Sequence, residues 1–142
     1  MLSRKKARES VYKLIFEYLF LKKPNEKSLT IFTSAYISEE DYKYIQTVYY
    51  GVIEHFDEIV AIITQFTTRF SITRIFKLDL AALLLAIFEM KYLPNIPMSV
   101  SISEAVDLVK LYSTEKSNQY VNGILSSVYK MLNNESDNKN DG

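Results

Sequence analysis

The stretch Ser3-Arg-Lys-Lys-Ala-Arg-Glu-Ser-Val-Tyr-Lys-Leu-Ile-Phe-Glu-Tyr-Leu-Phe-Leu21 decides how the rest of the chain is read. Ala7, Val11, Leu14, Ile15, Tyr18 and Leu19 recur at the i, i+4, i+7, i+8 spacing of one helix face. Tyr12, Phe16 and Phe20 form a second row beside it. A helix with this much apolar surface is buried along most of its length. Its first turns carry Arg4, Lys5, Lys6 and Arg8, with no acid before Glu9. Cations at a helix N-terminus oppose the macrodipole, at roughly 0.3–1 kcal/mol each. Folding alone does not explain that placement; an anionic partner does.

Outward from this helix the same period recurs. Pro24 breaks the first helix. Leu29, Phe32 and Tyr36 predict a short second one. Ser38 with Asp41 reads as an N-cap followed by an acid in the first turn, opening a helix through Tyr42, Ile45, Tyr49, Val52, Ile53 and Phe56. Gly51 inside it costs about 1 kcal/mol against Ala and marks a close contact between helices. Ile59, Ile62, Ile63, Phe66 and Phe70 continue the pattern, as a new helix begun near Asp57 or as an extension. Residues 71–77 form a connector with Arg69, Arg74 and Lys77 in or beside it. Leu78 to Tyr92 is apolar nearly all round and reads as the central helix, ended by Pro94 and Pro97. Ser101-Ile-Ser-Glu104 fits a capping box with Val100 and Ala105 as its staple. Ile102, Ala105, Val106, Val109 and Tyr112 form the face of the helix it opens. After the polar turn Ser113–Ser117, Val121, Ile124, Leu125, Val128 and Leu132 make the buried stripe of a last helix. The polar segment 133–142 reads as a disordered tail behind a single domain at 1–132. With no strand alternation and no repeat, the fold class is all-α, six or seven helices with short connections.

Composition narrows the function. The chain has 142 residues, 48% of them apolar, with three Gly, three Pro and no Cys, which is enough for one globular core. Without Cys there is neither a disulfide framework nor thiol catalysis, which fits a reducing cytoplasm. His55 is the single His, so metal sites lose their usual ligands. It follows Glu54 with no triad partner in reach, as an ordinary helix-surface residue. No cofactor is implied. Formal net charge is zero, so attraction to nucleic acid rests on local asymmetry. That asymmetry exists in residues 1–23, where Arg4, Lys5, Lys6, Arg8, Lys13, Lys22 and Lys23 face only Glu9 and Glu17. The longest apolar run, Leu80 to Phe88, is far below the ~20 residues that span a bilayer, so no membrane is expected. Lys13 and Glu17 interrupt what would be the apolar part of a signal peptide.

Three stretches together resemble the NusB family of bacterial transcription antitermination factors. Arg4-Lys-Lys-Ala-Arg-Glu-Ser-Val-Tyr-Lys-Leu-Ile-Phe16 is similar to its basic N-terminal signature. Leu85-Ala-Ile-Phe-Glu-Met90, Ile96-Pro97 and Val100-Ser-Ile-Ser-Glu-Ala-Val-Asp-Leu-Val-Lys110 resemble its central block, and Tyr120-Val-Asn-Gly-Ile-Leu125 its C-terminal block. The resemblance covers residues 3–132. It implies two small helical bundles and no catalysis. It implies binding to a short single-stranded leader RNA element, boxA, as a heterodimer with ribosomal protein NusE, and action on RNA polymerase during ribosomal RNA transcription. It also admits a weak homodimer through the partner-facing surface. Three positions depart from the family pattern: Leu84 where Arg is common, Ser103 where Asn is usual, and Lys116 where an acid is frequent.

Arg4, Lys5, Lys6 and Arg8 supply charge for phosphates, and Arg also stacks on bases. Three or four phosphate contacts predict a salt slope of about −2 to −3 for a single strand. Lys116, Asn118, Gln119 and Tyr120 open the last helix, where free N–H groups, amides and an aromatic ring suit phosphates, base edges and base stacking. Asn122 serves either RNA or the backbone beside Val121, and Gly123 is read as a helix-packing residue. Phe16 and Tyr18 are read as core. Glu89 is read as the solvent edge of the central helix. Read by resemblance, Asp79 faces the protein partner and offers it an ion pair. The rival reading is a purely protein-binding helical adaptor whose basic end meets acidic partners; a methyltransferase, in which the same fold occurs by analogy as an RNA-binding front domain, is not expected, because such an enzyme needs a cofactor domain and a Cys nucleophile.

Overall fold

The computed structural model describes residues 3–34, 38–67 and 72–141, with side chains from 4 to 135. Tyr36, Arg69 and Phe70, named above, lie outside the described residues. Seven α-helices fill the described chain: α1 (Ser3–Leu21), α2 (Glu26–Thr33), α3 (Glu39–Glu54), α4 (Phe56–Gln65), α5 (Lys77–Tyr92), α6 (Met98–Tyr112) and α7 (Ser117–Asp141). One 3-10 turn, Ile72–Arg74, precedes α5.

Helix α5 is the axis. Asp79 through Met90 are all buried, because helices pack on every side of it. Helices α1, α3 and α4 lie against one flank and α6 and α7 against the other, so two small bundles share α5. On α1 the first apolar row is buried as expected: Ala7, Val11, Leu14, Ile15 and Leu19 line the core, while Tyr18 is half-buried. The second row fades outward, from buried Tyr12 through half-buried Phe16 to Phe20 at 58% exposure.

Local chemistry sets most boundaries. The Asn25 side chain accepts from the backbone N–H groups of Lys27 and Ser28 and caps α2. Ser38 Oγ accepts from the Asp41 N–H and caps α3, as its spacing predicts. A turn at His55 separates α3 from α4, which settles the choice left open at Asp57 in favour of a new helix. A Cβ placed on Gly51 would lie 2.2 Å from Phe88 Cζ, so Gly51 leaves room for the Phe88 ring of α5 to lie against the α3 backbone.

Three expectations fail. Helix α6 starts at Met98 with Pro97 as its N-cap residue, whose carbonyl accepts from the Val100 and Ser101 N–H groups. Ser101 therefore lies inside the helix and does not cap it. Gly123 is exposed, and a Cβ there would meet nothing within 4 Å, so it is no packing residue. Helix α7 continues past Asn133, where composition predicts an irregular tail, to Asp141; Leu132 is the last residue of its buried stripe.

Candidate nucleic-acid interface

The four cations of α1 do not share one surface, because each residue turns the helix by about 100°. Arg8 points inward. Its guanidinium donates from Nε to Glu89 Oε2 at 2.9 Å and from Nη2 to Oε1 at 3.3 Å. Glu89 also accepts from the Tyr44 hydroxyl and, at 2.7 Å, from Ser101 Oγ. Arg8 is 5% exposed and Glu89 0%. Burial, reinforced by the Glu89 charge, holds the Tyr44 phenol well above its ordinary value. Two readings are corrected here: Arg8 is a core ion pair and not a phosphate contact, and Glu89 is no solvent edge. The signal was present. Arg8 precedes Val11, Tyr12 and Ile15 by three, four and seven positions, which puts it inside the apolar stripe.

Arg4 is tethered and half-exposed. Its Nε donates to buried Asp41 at 3.1 Å, and its guanidinium lies 4.4 Å over the Tyr44 ring. Lys5 reaches the opposite way, 3.5 Å from Glu104 and 3.6 Å from Asp107 on α6. Such exposed pairs contribute only ~0–1 kcal/mol, so they hold the Lys5 ammonium weakly. Lys6 is exposed.

The start of α7 also divides. Asn118, Gln119 and Asn122 line a groove of about 510 Å³ between α6 and α7, together with Ser99, Ser103 and Lys110. Lys116 and Tyr120 line a separate hollow of about 210 Å³ with Arg74 and Phe76. The Tyr120 phenol is pushed up by burial and then by Asp79. Asp107 is both the partner of Lys5 and part of the wall of the α6–α7 groove. Lys5 of α1 thus abuts the amide-lined groove across α6, while Arg4, Lys116 and Tyr120 lie away from it. Lys110, on the exposed row Ser103, Asp107, Lys110 of α6, was missed; its i, i+4, i+7 spacing was the available signal.

Asp79 needs correction as well. It is 3% exposed and accepts from Ser113 Oγ at 2.7 Å and Ser117 Oγ at 3.0 Å. A carboxylate satisfied in this way pins the α6–α7 turn onto α5 and offers no ion pair to a partner. The exposed feature nearby is aromatic. Phe20 and Phe76 are 58% and 61% exposed. Phe16 packs edge-on to Phe20 at 5.0 Å, and Lys77 Nζ lies 5.2 Å from the Phe20 ring. Tyr18 packs on Phe56, in keeping with its reading as core. His55 stacks on Tyr92 at 4.3 Å with Nδ1 3.2 Å from Glu58, so it is a junction residue and not a plain surface one. Of the family departures, Leu84 is fully buried, Ser103 lines the α6–α7 groove and Lys116 is exposed beside Tyr120.

Comparison with known proteins bears on this arrangement. The NusB family model matches residues 5–130. A transcription antitermination protein NusB from Finegoldia magna is 38% identical over 136 residues, 95% of this chain and 99% of its own. The solved structure of NusB from T. maritima superposes with a TM-score of 0.80 at 27% identity, covering 89% of this chain and 90% of that one. A structure of antitermination factors NusB and NusE in complex with dsRNA superposes with a TM-score of 0.81 at 26% identity, covering 92% and 98%. Among the described residues no helix is long and apolar enough to cross a membrane.

Proposed function

The chain belongs to the NusB family, and on that premise we propose that it is an RNA-binding transcription antitermination factor. It binds a single-stranded boxA-type leader RNA together with ribosomal protein NusE and acts on RNA polymerase during ribosomal RNA transcription, in the cytoplasm. It works by binding, with no catalytic step. The observation that carries this reading is the junction of exposed Lys5 with the amide-lined α6–α7 groove through Asp107, beside exposed Lys6 on the same helix.

The parts divide the work. Lys5, Lys6 and half-exposed Arg4 neutralise phosphates. Asn118, Gln119 and Asn122 present donors and acceptors to base edges, the chemistry by which single strands are read. Tyr120 stacks on a base, an interaction worth ~1–3 kcal/mol. The body has no net charge, so long-range attraction is weak and NusE strengthens binding by extending the surface. Phe20, packed on Phe16, forms the exposed apolar patch on which NusE docks, since aromatic residues are enriched at protein interfaces.

The test is an RNA titration followed by fluorescence anisotropy, with and without NusE, at several salt concentrations. Contacts by Arg4, Lys5 and Lys6 give a log–log slope near about −2, and Lys5→Gln with Lys6→Gln flattens it by about 1.4. A duplex of the same sequence binds more weakly than the single strand. Phe20→Ser lowers the gain from NusE and leaves binding of RNA by the free chain unchanged. Unaltered affinity and slope in the double Lys variant would instead favour the protein-only adaptor.

A further inference from the structure

Beyond α1, on the side away from α6, a cavity of about 260 Å³ opens between Arg4, the first turns of α3 and the α5–α6 loop. Neither the family motifs nor the comparisons assign it a role. Its walls include Tyr44 and Lys43 from α3 and Pro94 and Asn95 from the loop, with Glu40 at the edge. Tyr44 is immobilised through its hydroxyl bond to buried Glu89. Arg4 lies over the Tyr44 ring, is held from the side by Asp41 and keeps 42% of its side chain exposed. One surface of a fixed, planar cation is therefore covered by an aromatic ring, and the cavity lies beside it.

We propose that this cavity seats one nucleobase of the bound RNA, stacked on Arg4 and contacted at its edge by Asn95 and Glu40. The inference rests on the RNA reading above and extends the bound strand past Lys5 to the far side of α1. Three features specify the ligand. Arg guanidinium planes stack on unpaired bases, and this one is already ordered, so little freedom is lost on binding. Asn95 both donates and accepts, while Glu40 accepts only, which favours a base edge carrying an amino or imino N–H. Lys43, whose side chain is 73% exposed and only 3.9 Å from Glu39 in a loose pair, is placed for the adjoining phosphate.

The experiment uses the full chain and a fluorescein-labelled single-stranded boxA-type RNA, alongside copies in which one base at a time is replaced by an abasic ribose. Lys43→Gln flattens the salt slope by about 0.7. One abasic position costs the parent protein about fivefold or more in affinity, and that loss shrinks in the Lys43→Gln/Asn95→Ala variant, which lacks the Asn95 edge contact and keeps only the stacking on Arg4. Both side chains are exposed, and melting curves check that the variants stay folded. The proposal is overturned if every abasic position costs the variant as much as the parent while Lys5→Gln/Lys6→Gln still weakens binding; the α1–α7 RNA surface then stands without this seat. If the Lys5 and Lys6 changes are also silent, the RNA surface fails and the seat fails with it.

Discussion

Replacing Arg8 separates a structural cation from a binding one. Arg8→Met keeps the length of the stem but removes both guanidinium bonds to Glu89, at 2.9 and 3.3 Å. Glu89 retains Tyr44 and Ser101 as donors but becomes an uncompensated buried charge. Breaking one side of a buried pair costs about 3–5 kcal/mol; two charge-assisted hydrogen bonds at ~1.5–3 kcal/mol each lead to the same range. Against a total stability of ~5–15 kcal/mol, that is a large fraction. At about 2–4 °C per kcal/mol for a chain of this size, the melting temperature falls by about 6–20 °C. Urea unfolding followed by far-UV circular dichroism measures it, with the slope against denaturant unchanged. Adding Glu89→Leu recovers part of the loss, because the stranded charge is gone. RNA affinity, measured where the variant is fully folded, stays within a fewfold of the parent. An Arg8→Met protein as stable as the parent, but with weakened RNA binding and a flatter salt slope, would refute the assignment.

Three further outcomes follow from local geometry. Hydrogen bonds from Lys91, then Tyr92 and His55, hold the Glu58 carboxyl at about 2, below its ordinary 4.5. A depressed carboxylate adds stability above pH 4.5 that is lost as pH falls toward 2, so the stability difference between parent and Glu58→Gln shrinks over that interval in acid titration. Gly51→Ala destabilises by about 1–3 kcal/mol despite better helix propensity, since the new methyl meets the Phe88 ring; chemical denaturation reads it, and Phe88→Leu in the same chain restores part. Gly123→Ala, facing open space, stabilises by about 0.5–1 kcal/mol in the same assay.

The period of apolar residues carried most of the architecture. Helix α5 was legible because Leu80 to Phe88 is apolar all round, and α3 because Ser38 and Asp41 mark its start. What stayed hidden was the fate of charges within buried helices. Asp79 and Glu89 break the apolar run of α5, and periodicity alone does not say whether such a residue points at solvent or at a partner far along the chain. Arg8, Ser101, Ser113 and Ser117 are those partners. Helix α6 began earlier than its capping-box pattern indicates, because Pro97 supplies the start and the Ser101 hydroxyl is taken by Glu89. In the candidate site the residue types were readable, but their grouping was not. Asn118 and Tyr120 are two positions apart, and only the packing of α7 shows that they face different hollows.

The Arg8–Glu89 pair joins positions 81 residues apart, and that separation matters while the chain is being made. At about 5–20 residues per second, Arg8 emerges from the ribosome some 4–16 s before its counter-ion does. Throughout that interval the helix has neither α5 to cover its apolar rows nor a carboxylate for its innermost cation. The newborn N-terminus is therefore an unfinished amphipathic segment, suited to transient capture by a chaperone. Its docking waits for the second half of the molecule, so folding completes late and nearly all at once.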